Sequence, residues 1–159
     1  MLTLRNLRSD DIAIIKSWPH YPAEFSDLDY ALRDDGWLDH YPAGVDTVIL
    51  VAEDQKGLIG FSILSRDEGK CPEFRIALHP EKIGKGLGNE LTHLTLAYGF
   101  SSLDFGCIRL IVRKNNHRAQ KLYKELFFQY AGECTEDVQG KPVDFFRMEI
   151  SREKFLKET

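Results

Sequence analysis

Gly84, Lys85, Gly86, Leu87 and Gly88 make a glycine-rich turn, and the pattern on either side sets it between a strand and a helix. That placement matters more than the glycines themselves. The first turn of a helix has backbone N–H groups without intrahelical partners, at the positive end of the helix dipole. Glycine lets a phosphate approach such a backbone closely. The N–H groups from Gly84 to Asn89 are therefore candidate anion donors, with Lys85 adding charge. The Walker form GxxxxGK[ST] is absent, and the dinucleotide form GxGxxG fails because Asn89 stands where the third glycine belongs. Two readings of the turn stay open on this segment alone: a pyrophosphate loop of the coenzyme A kind, and a plain tight turn between two elements.

A second chemical cluster lies about thirty residues on. The stretch from Ile111 to Phe128 leaves a buried strand and opens a helix at Asn116. Asn116 is a good N-cap, Tyr123 lies on the apolar face with Ala119, Leu122 and Leu126, and Arg113, Lys114, Arg118, Lys121 and Lys124 make the region basic. Charge is unevenly spread: Trp18 to Asp54 carries nine acids against Arg33 alone, a net −8, whereas the rest of the chain is +4. The same acidic stretch holds Trp18, Tyr21, Tyr30, Trp37 and Tyr41, which can give cation–π contacts. The tetrapeptide HYPA occurs in it twice, at His20 to Ala23 and at His40 to Ala43. Chance explains that, as do two similar aromatic turns beside a pocket.

The elements that must position these groups follow from periodicity. A short strand near Leu2 to Leu7 precedes a helix capped by Asp10 or Asp11 and running to Lys16, and a helix is expected near Ser26 to Leu38. Three strands follow in TVILVA, LIGFSIL and EFRIALH, ended by Pro80, which has no N–H for a ladder. In the next helix Leu87, Leu91, Leu94 and Tyr98 share a face, then come the strand CIRLIVR, the Asn116 helix, and two strands turning at Gln139-Gly140. The order is that of an α/β chain with a mixed sheet, without a linker or low-complexity stretch.

Bulk composition narrows the classes. With 43% hydrophobic and 29% charged residues, the chain is globular and not disordered. A net charge of −4 argues against a nucleic-acid partner. No apolar run is long enough to span a bilayer, so no membrane partner is expected and the location reads as cytoplasmic. Cys71, Cys107 and Cys134 are odd in number and far apart, and read as reduced, buried thiols. The five histidines are scattered and no HExxH occurs, so no metal is expected.

Taken together, the two motif segments resemble the GNAT superfamily of acyl-CoA N-acyltransferases. Its first motif, roughly (Q/R)xxGx(G/A), maps onto LHPEKIGKGLG with Gly86 and Gly88 as core glycines. Its second, roughly VxxxNxxAxxLYxxxGF, maps onto Val112, Asn116, Ala119, Leu122, Tyr123 and Phe128. The opening LRNLRSDDIAIIKSW looks like the branch related to ribosomal-protein N-terminal acetyltransferases. Three positions depart from the pattern: Ile83 replaces Gln or Arg, Phe127 replaces glycine, and Ile111 stands where some relatives place a catalytic glutamate.

The resemblance implies one α/β domain over 1–159, a mixed, mostly antiparallel sheet of six to seven strands flanked by about four helices, and direct attack of an amine on acetyl-CoA in a ternary complex. It assigns the pyrophosphate to residues 84–89, further cofactor contacts to Asn116 and Arg118, and the pantetheine arm to Ile76, Ala77 and Leu78. Tyr123 is the implied acid for the leaving thiolate. Glu73 is the first candidate base, with Glu53 and His79 in reserve, or water as a relay. An acidic, aromatic acceptor region implies a cationic amine: a polyamine-like molecule, an aminoglycoside-like sugar or a basic peptide N-terminus. A homodimer is left open. The rival readings are a non-catalytic acyl-CoA-binding module and a scaffold that has lost the cofactor.

Overall fold

The computed structural model describes residues 2–159. Seven strands form one sheet in the order β1-β2-β3-β4-β5-β7-β6. They are β1 (Thr3–Asn6), β2 (Thr47–Asp54), β3 (Gly57–Ser65), β4 (Glu73–Leu78), β5 (Cys107–Arg113), β6 (Gln129–Val138) and β7 (Lys141–Ser151). All neighbours are antiparallel except β4 and β5. Five α-helices complete the fold: α1 (Ser9–Lys16), the single turn α2 (Trp37–His40), α3 (Leu87–Ser101), α4 (His117–Glu125) and α5 (Arg152–Glu158). The mixed α/β sheet expected from the sequence is present. Among the described residues no helix is long and apolar enough to cross a membrane.

Alternation in the strands builds two cores. Ile49, Val51, Phe61, Ile63 and Ala77 face one side, where they meet Ile15, Trp18, Leu32 and Leu38. Phe74, Leu110, Val112 and Met148 face the other, against Leu96, Phe100, Tyr123 and Phe128. Burying side chains of this size contributes about 1.5–3 kcal/mol each. In α3 the expected leucine series supplies only one edge of the buried face. Thr92, Thr95, Leu96, Gly99 and Phe100 complete it, and Thr95 shares a buried 2.7 Å hydrogen bond with Ser62 of β3. A polar pair that satisfies itself is invisible to a count of apolar spacing.

Four local expectations need correction. First, α1 is not capped by Asp10 or Asp11. It starts after Arg8, and Asp11 sits in its first turn. There the Asp11 carboxylate accepts the Arg8 N–H at 2.7 Å and a two-pronged Arg5 guanidinium at 2.8 and 2.9 Å. Second, residues 26–38 are not one helix. Ala23–Leu32 is a kinked run of 3-10 turns and α2 follows after a break at Gly36. A Cβ at Gly36 would lie 2.2 Å from the Tyr30 carbonyl oxygen, so the chain can turn there only with glycine.

Third, the cysteines are not all thiols. Cys71 and Cys107 form a disulfide with their Cα atoms 5.1 Å apart, and Cys134 is free. They are 36 residues apart in sequence, and only the parallel pairing of β4 and β5 around α3 brings them together. Fourth, α5 was not expected. Ser151 caps it by accepting the Lys154 N–H at 3.0 Å. At Phe127, where the family pattern has glycine, the backbone still takes the left-handed conformation, with φ at 72°.

Asp11 yields a test. Arg5 first of all, and then the Arg8 N–H, hold its carboxyl below the usual aspartate range against the opposing effect of burial. A depressed folded-state value stabilises above the unfolded value, near 4, and is lost as pH falls through the folded value. Asp11→Asn should lose about 2–4 kcal/mol at pH 7 in denaturant unfolding. The difference from wild type should shrink steadily as the pH is lowered below about 4.

Candidate active site

Only Glu73 and Arg109 bridge β4 to β5. Beyond that pair the two strands part, and a cavity of about 930 Å³ opens between them. On β4, the His79 N–H bonds back to Ile59 of β3 at 2.8 Å. Antiparallel alternation then turns the N–H groups of Ile76 and Leu78 away from β3, into the gap. Ile76, Ala77 and Leu78 all line it. The Leu78 carbonyl is taken by the Tyr21 hydroxyl at 2.6 Å.

Two helix N-termini close one end of the cavity. Gly86 precedes α3 with φ at 79° and Gly84 has φ at 85°, both backbone conformations that favour glycine. None of the N–H groups from Gly84 to Asn89 has a backbone partner among the described residues. A Cβ at Gly86 would meet nothing within 4 Å, so the loop is open toward a ligand. At Gly84 a Cβ would come 2.8 Å from Arg118 Nη2, so Arg118 lies across this loop. Gly84, Gly86, Gly88, Asn89, Asn116 and Arg118 line the cavity, whereas Lys85 and Leu87 do not. Asn116 caps α4 by accepting the Ala119 N–H at 3.1 Å.

Tyr123 stands midway. Its ring packs edge-on against Phe74 and Phe128, at 6.4 and 5.6 Å between centroids. Its residue is 8% exposed, it lines the cavity, and its hydroxyl makes no hydrogen bond among the described residues. Burial raises its pKa well above that of an ordinary phenol, so it keeps its proton. A protonated phenol with a free donor is suited to meet a developing anion.

The other end is aromatic and ionic. Tyr30, Trp37 and Tyr41 line it, Tyr21 lines the cavity beside Leu78, and Trp18 does not line the cavity. Both HYPA tyrosines therefore face the same cavity. Glu73 is not a free base. One of its oxygens pairs with Arg75, and the other with Arg109 at 2.8 Å. Arg75 lies over the Tyr41 ring at 3.9 Å and its Nη1 has no partner among the described residues. Neither reserve base lines the cavity. Glu53 pairs with Arg5 at 3.1 Å. His79 accepts the Glu81 N–H at 3.0 Å, and burial lowers its basicity.

The acidic stretch behaves differently from expectation. None of its nine acids lines the cavity. Asp29 holds Arg33 and His20, Asp34 and Asp39 hold Lys16, and Asp27 meets Arg113. The cavity acids come from elsewhere: Asp67, Glu73, Glu125, Glu136 and Asp137. Asp67 and Glu73 are neutralised by arginine, and Glu125 lies 3.9 Å from Lys121. Glu136 and Asp137, beside the β6–β7 turn, have no ion-pair partner among the described residues. The turn signal at Gln139-Gly140 located the hairpin, but nothing in sequence placed its acids across from Tyr41.

A strand pair that splays between two helix N-termini, with a phenol in the cleft, defines a GNAT-type acyltransferase site. The sequence profile of the acetyltransferase (GNAT) family matches residues 12–128, and the chain belongs to that family. Among curated relatives, the spermidine N(1)-acetyltransferase of Vibrio cholerae is 30% identical over 99% of this chain and 97% of its own length. The spermidine N(1)-acetyltransferase of Escherichia coli K12 is 35% identical, over 54% of this chain and about half (47%) of that relative. Among solved structures, the spermidine/spermine N-acetyltransferase SpeG of V. cholerae superposes with a TM-score of 0.78 at 27% identity, covering 100% of this chain and 99% of that one. These relatives overturn the expected kinship with ribosomal-protein N-terminal acetyltransferases. The N-terminal segment that suggested it is a strand and a helix tied by Arg5 and Asp11, a structural signature and not a substrate one.

Replacing the Asn116 cap with alanine should lower thermal stability by about 1 kcal/mol. Scanning calorimetry of Asn116→Ala against wild type reads that change directly.

Proposed function

We propose that this chain moves an acetyl group from acetyl-CoA to a primary amine of a cationic, polyamine-like molecule. The observation that carries the reading is the cleft itself: unpaired β4 N–H groups, two helix N-termini and the free Tyr123 hydroxyl converge on one cavity. The acceptor class is supported by the spermidine acetyltransferase relatives, one of them solved with CoA and spermine. We read 1–159 as one catalytic unit acting in the cytoplasm.

Acetyl-CoA supplies an acetyl group activated as a thioester. The N–H groups of Gly84 to Asn89 and the Arg118 guanidinium suit its phosphates, because both are donors aimed at an open loop. The Ile76 and Leu78 N–H groups face the gap and can stabilise charge growing on a carbonyl oxygen there. The amine, already stripped of one proton, attacks the thioester carbon; as the C–S bond breaks, Tyr123 gives its proton to the sulfur and regains one, through water, from the new amide nitrogen. Glu73, held by two guanidiniums, anchors the floor, and the ammonium proton leaves through water. The aromatic end takes the acceptor, with Glu136 and Asp137 as the unpaired carboxylates for a distal ammonium.

Thiol release from acetyl-CoA in the presence of spermidine tests this reading. Wild type should turn over. Tyr123→Phe should lose about a hundredfold in kcat with CoA affinity kept. Glu136→Gln should raise the KM for spermidine by about fivefold or more, the effect expected of lost uniform binding, with kcat little changed. Turnover of neutral amines alone would contradict the cationic assignment.

A further inference from the structure

The corner where β4 leaves β5 has a single ladder bridge. Cys71 and Cys107 stand two residues before Glu73 and Arg109, which form the one bridged pair. The Arg109 N–H reaches Pro72 O at 2.9 Å, its Nε reaches Cys71 O at 2.9 Å, and its Nη1 reaches Glu73 at 2.8 Å. Arg109 also pairs with Asp67. The disulfide is the covalent member of this set. It is flanked by the exposed loop Arg66 to Lys70, and both cysteines are only partly buried. A small dithiol can therefore reach it.

Position gives the bond a consequence. Asp67, Glu73, Arg75 and Arg109 all line the acceptor end of the cavity, within four residues of a bridged cysteine. Their arrangement depends on β4 and β5 keeping register at this corner. The phosphate end depends instead on the N-termini of α3 and α4, which follow the opposite ends of β4 and β5 from the cysteines. In a reducing compartment a disulfide is ordinarily transient and functional.

We propose that Cys71–Cys107 is a redox clasp on the acceptor end of the cleft. The oxidised form fixes Glu73, Arg75 and Arg109 and is the form with high acceptor affinity. In reduction, one thiolate of a dithiol attacks a cystine sulfur and the Cys71–Cys107 bond breaks. The second thiol of the reductant displaces that mixed disulfide and closes a cyclic disulfide. Two electrons pass to the protein, and each cysteine sulfur ends with a proton. The corner then has no covalent link and is held by the Arg109 contacts and by the packing of Phe74, Ile108 and Leu110. The kinetic part of this inference rests on the acetyl-transfer reading; the structural part does not.

The full chain is compared air-oxidised and after dithiothreitol, with alkylation and mass measurement to count thiols. The oxidised form should alkylate at Cys134 only, and the reduced form at all three cysteines. Amide exchange at Arg109 should quicken about tenfold or more on reduction, while the β2–β3 amides stay unchanged. The KM for spermidine should rise about tenfold with CoA affinity kept, and reoxidation should reverse it. A Cys71→Ser, Cys107→Ser variant should match the reduced form and ignore dithiothreitol. Unchanged exchange and kinetics would overturn the clasp. So would three alkylatable thiols in the oxidised sample, or global unfolding on reduction by circular dichroism. If neither form transfers acetyl, the proposed function fails and the Arg109 exchange rate decides the clasp alone.

Discussion

The parting of β4 from β5 is the constraint on which the rest of the structure depends. A parallel pair normally continues its ladder, and here it stops after a single bridge. Ladder donors on β4 are thereby left without a strand to meet. Unpaired backbone groups are costly when buried, so the gap must be filled by water or by a ligand with matching groups. The helices follow from the same arrangement. The α3 crossover must return the chain from β4 to a parallel neighbour, and its N-terminus therefore falls at the open end of the gap. The N-terminus of α4, after β5, falls beside it. An anion site and an extended polar slot are thus one geometric event.

Electrostatics divides the cavity along its length. At the glycine-turn end the positive charge comes from helix N-termini and Arg118. At the other end, arginines and carboxylates neutralise one another in the series Asp67, Arg109, Glu73 and Arg75, which finishes on the Tyr41 ring. That series leaves Glu136 and Asp137 as the lining carboxylates without an ion-pair partner among the described residues. The acidic segment from Trp18 to Asp54 works differently: its carboxylates hold the loop together, and its aromatics are what it lends to the site.

Legibility from sequence followed the range of the contacts. The strands, α3, α4 and the Gln139-Gly140 turn were readable because periodicity and turn chemistry are local. Gly84, Gly86, Gly88, Asn116 and Tyr123 all line the cavity, and one local segment positions each. The disulfide, the Glu73 ion pairs and the Tyr21 contact with Leu78 were not readable, since each joins residues brought together only by sheet order. The acids misled for the same reason. Sequence shows that a stretch is acidic, and only the fold shows whether each carboxylate has an arginine or lysine beside it. Composition allows one helix from Ser26 to Leu38, and the close approach of Gly36 to the Tyr30 carbonyl forbids it.

The central claim is that the glycine turn before α3 holds a phosphate-bearing acyl donor. Calorimetric titration of acetyl-CoA into wild type and Gly86→Glu tests it most directly. Gly86 is the position of choice because a side chain there meets open space, whereas one at Gly88 would press on Leu122 at 3.3 Å. The left-handed backbone adds a strain of about 1 kcal/mol, small enough to leave the variant folded. The account predicts one-to-one binding by wild type and a loss of about a hundredfold or more in the folded variant, where a carboxylate faces the phosphates. Equal binding by the two proteins, or no binding by wild type, would contradict it.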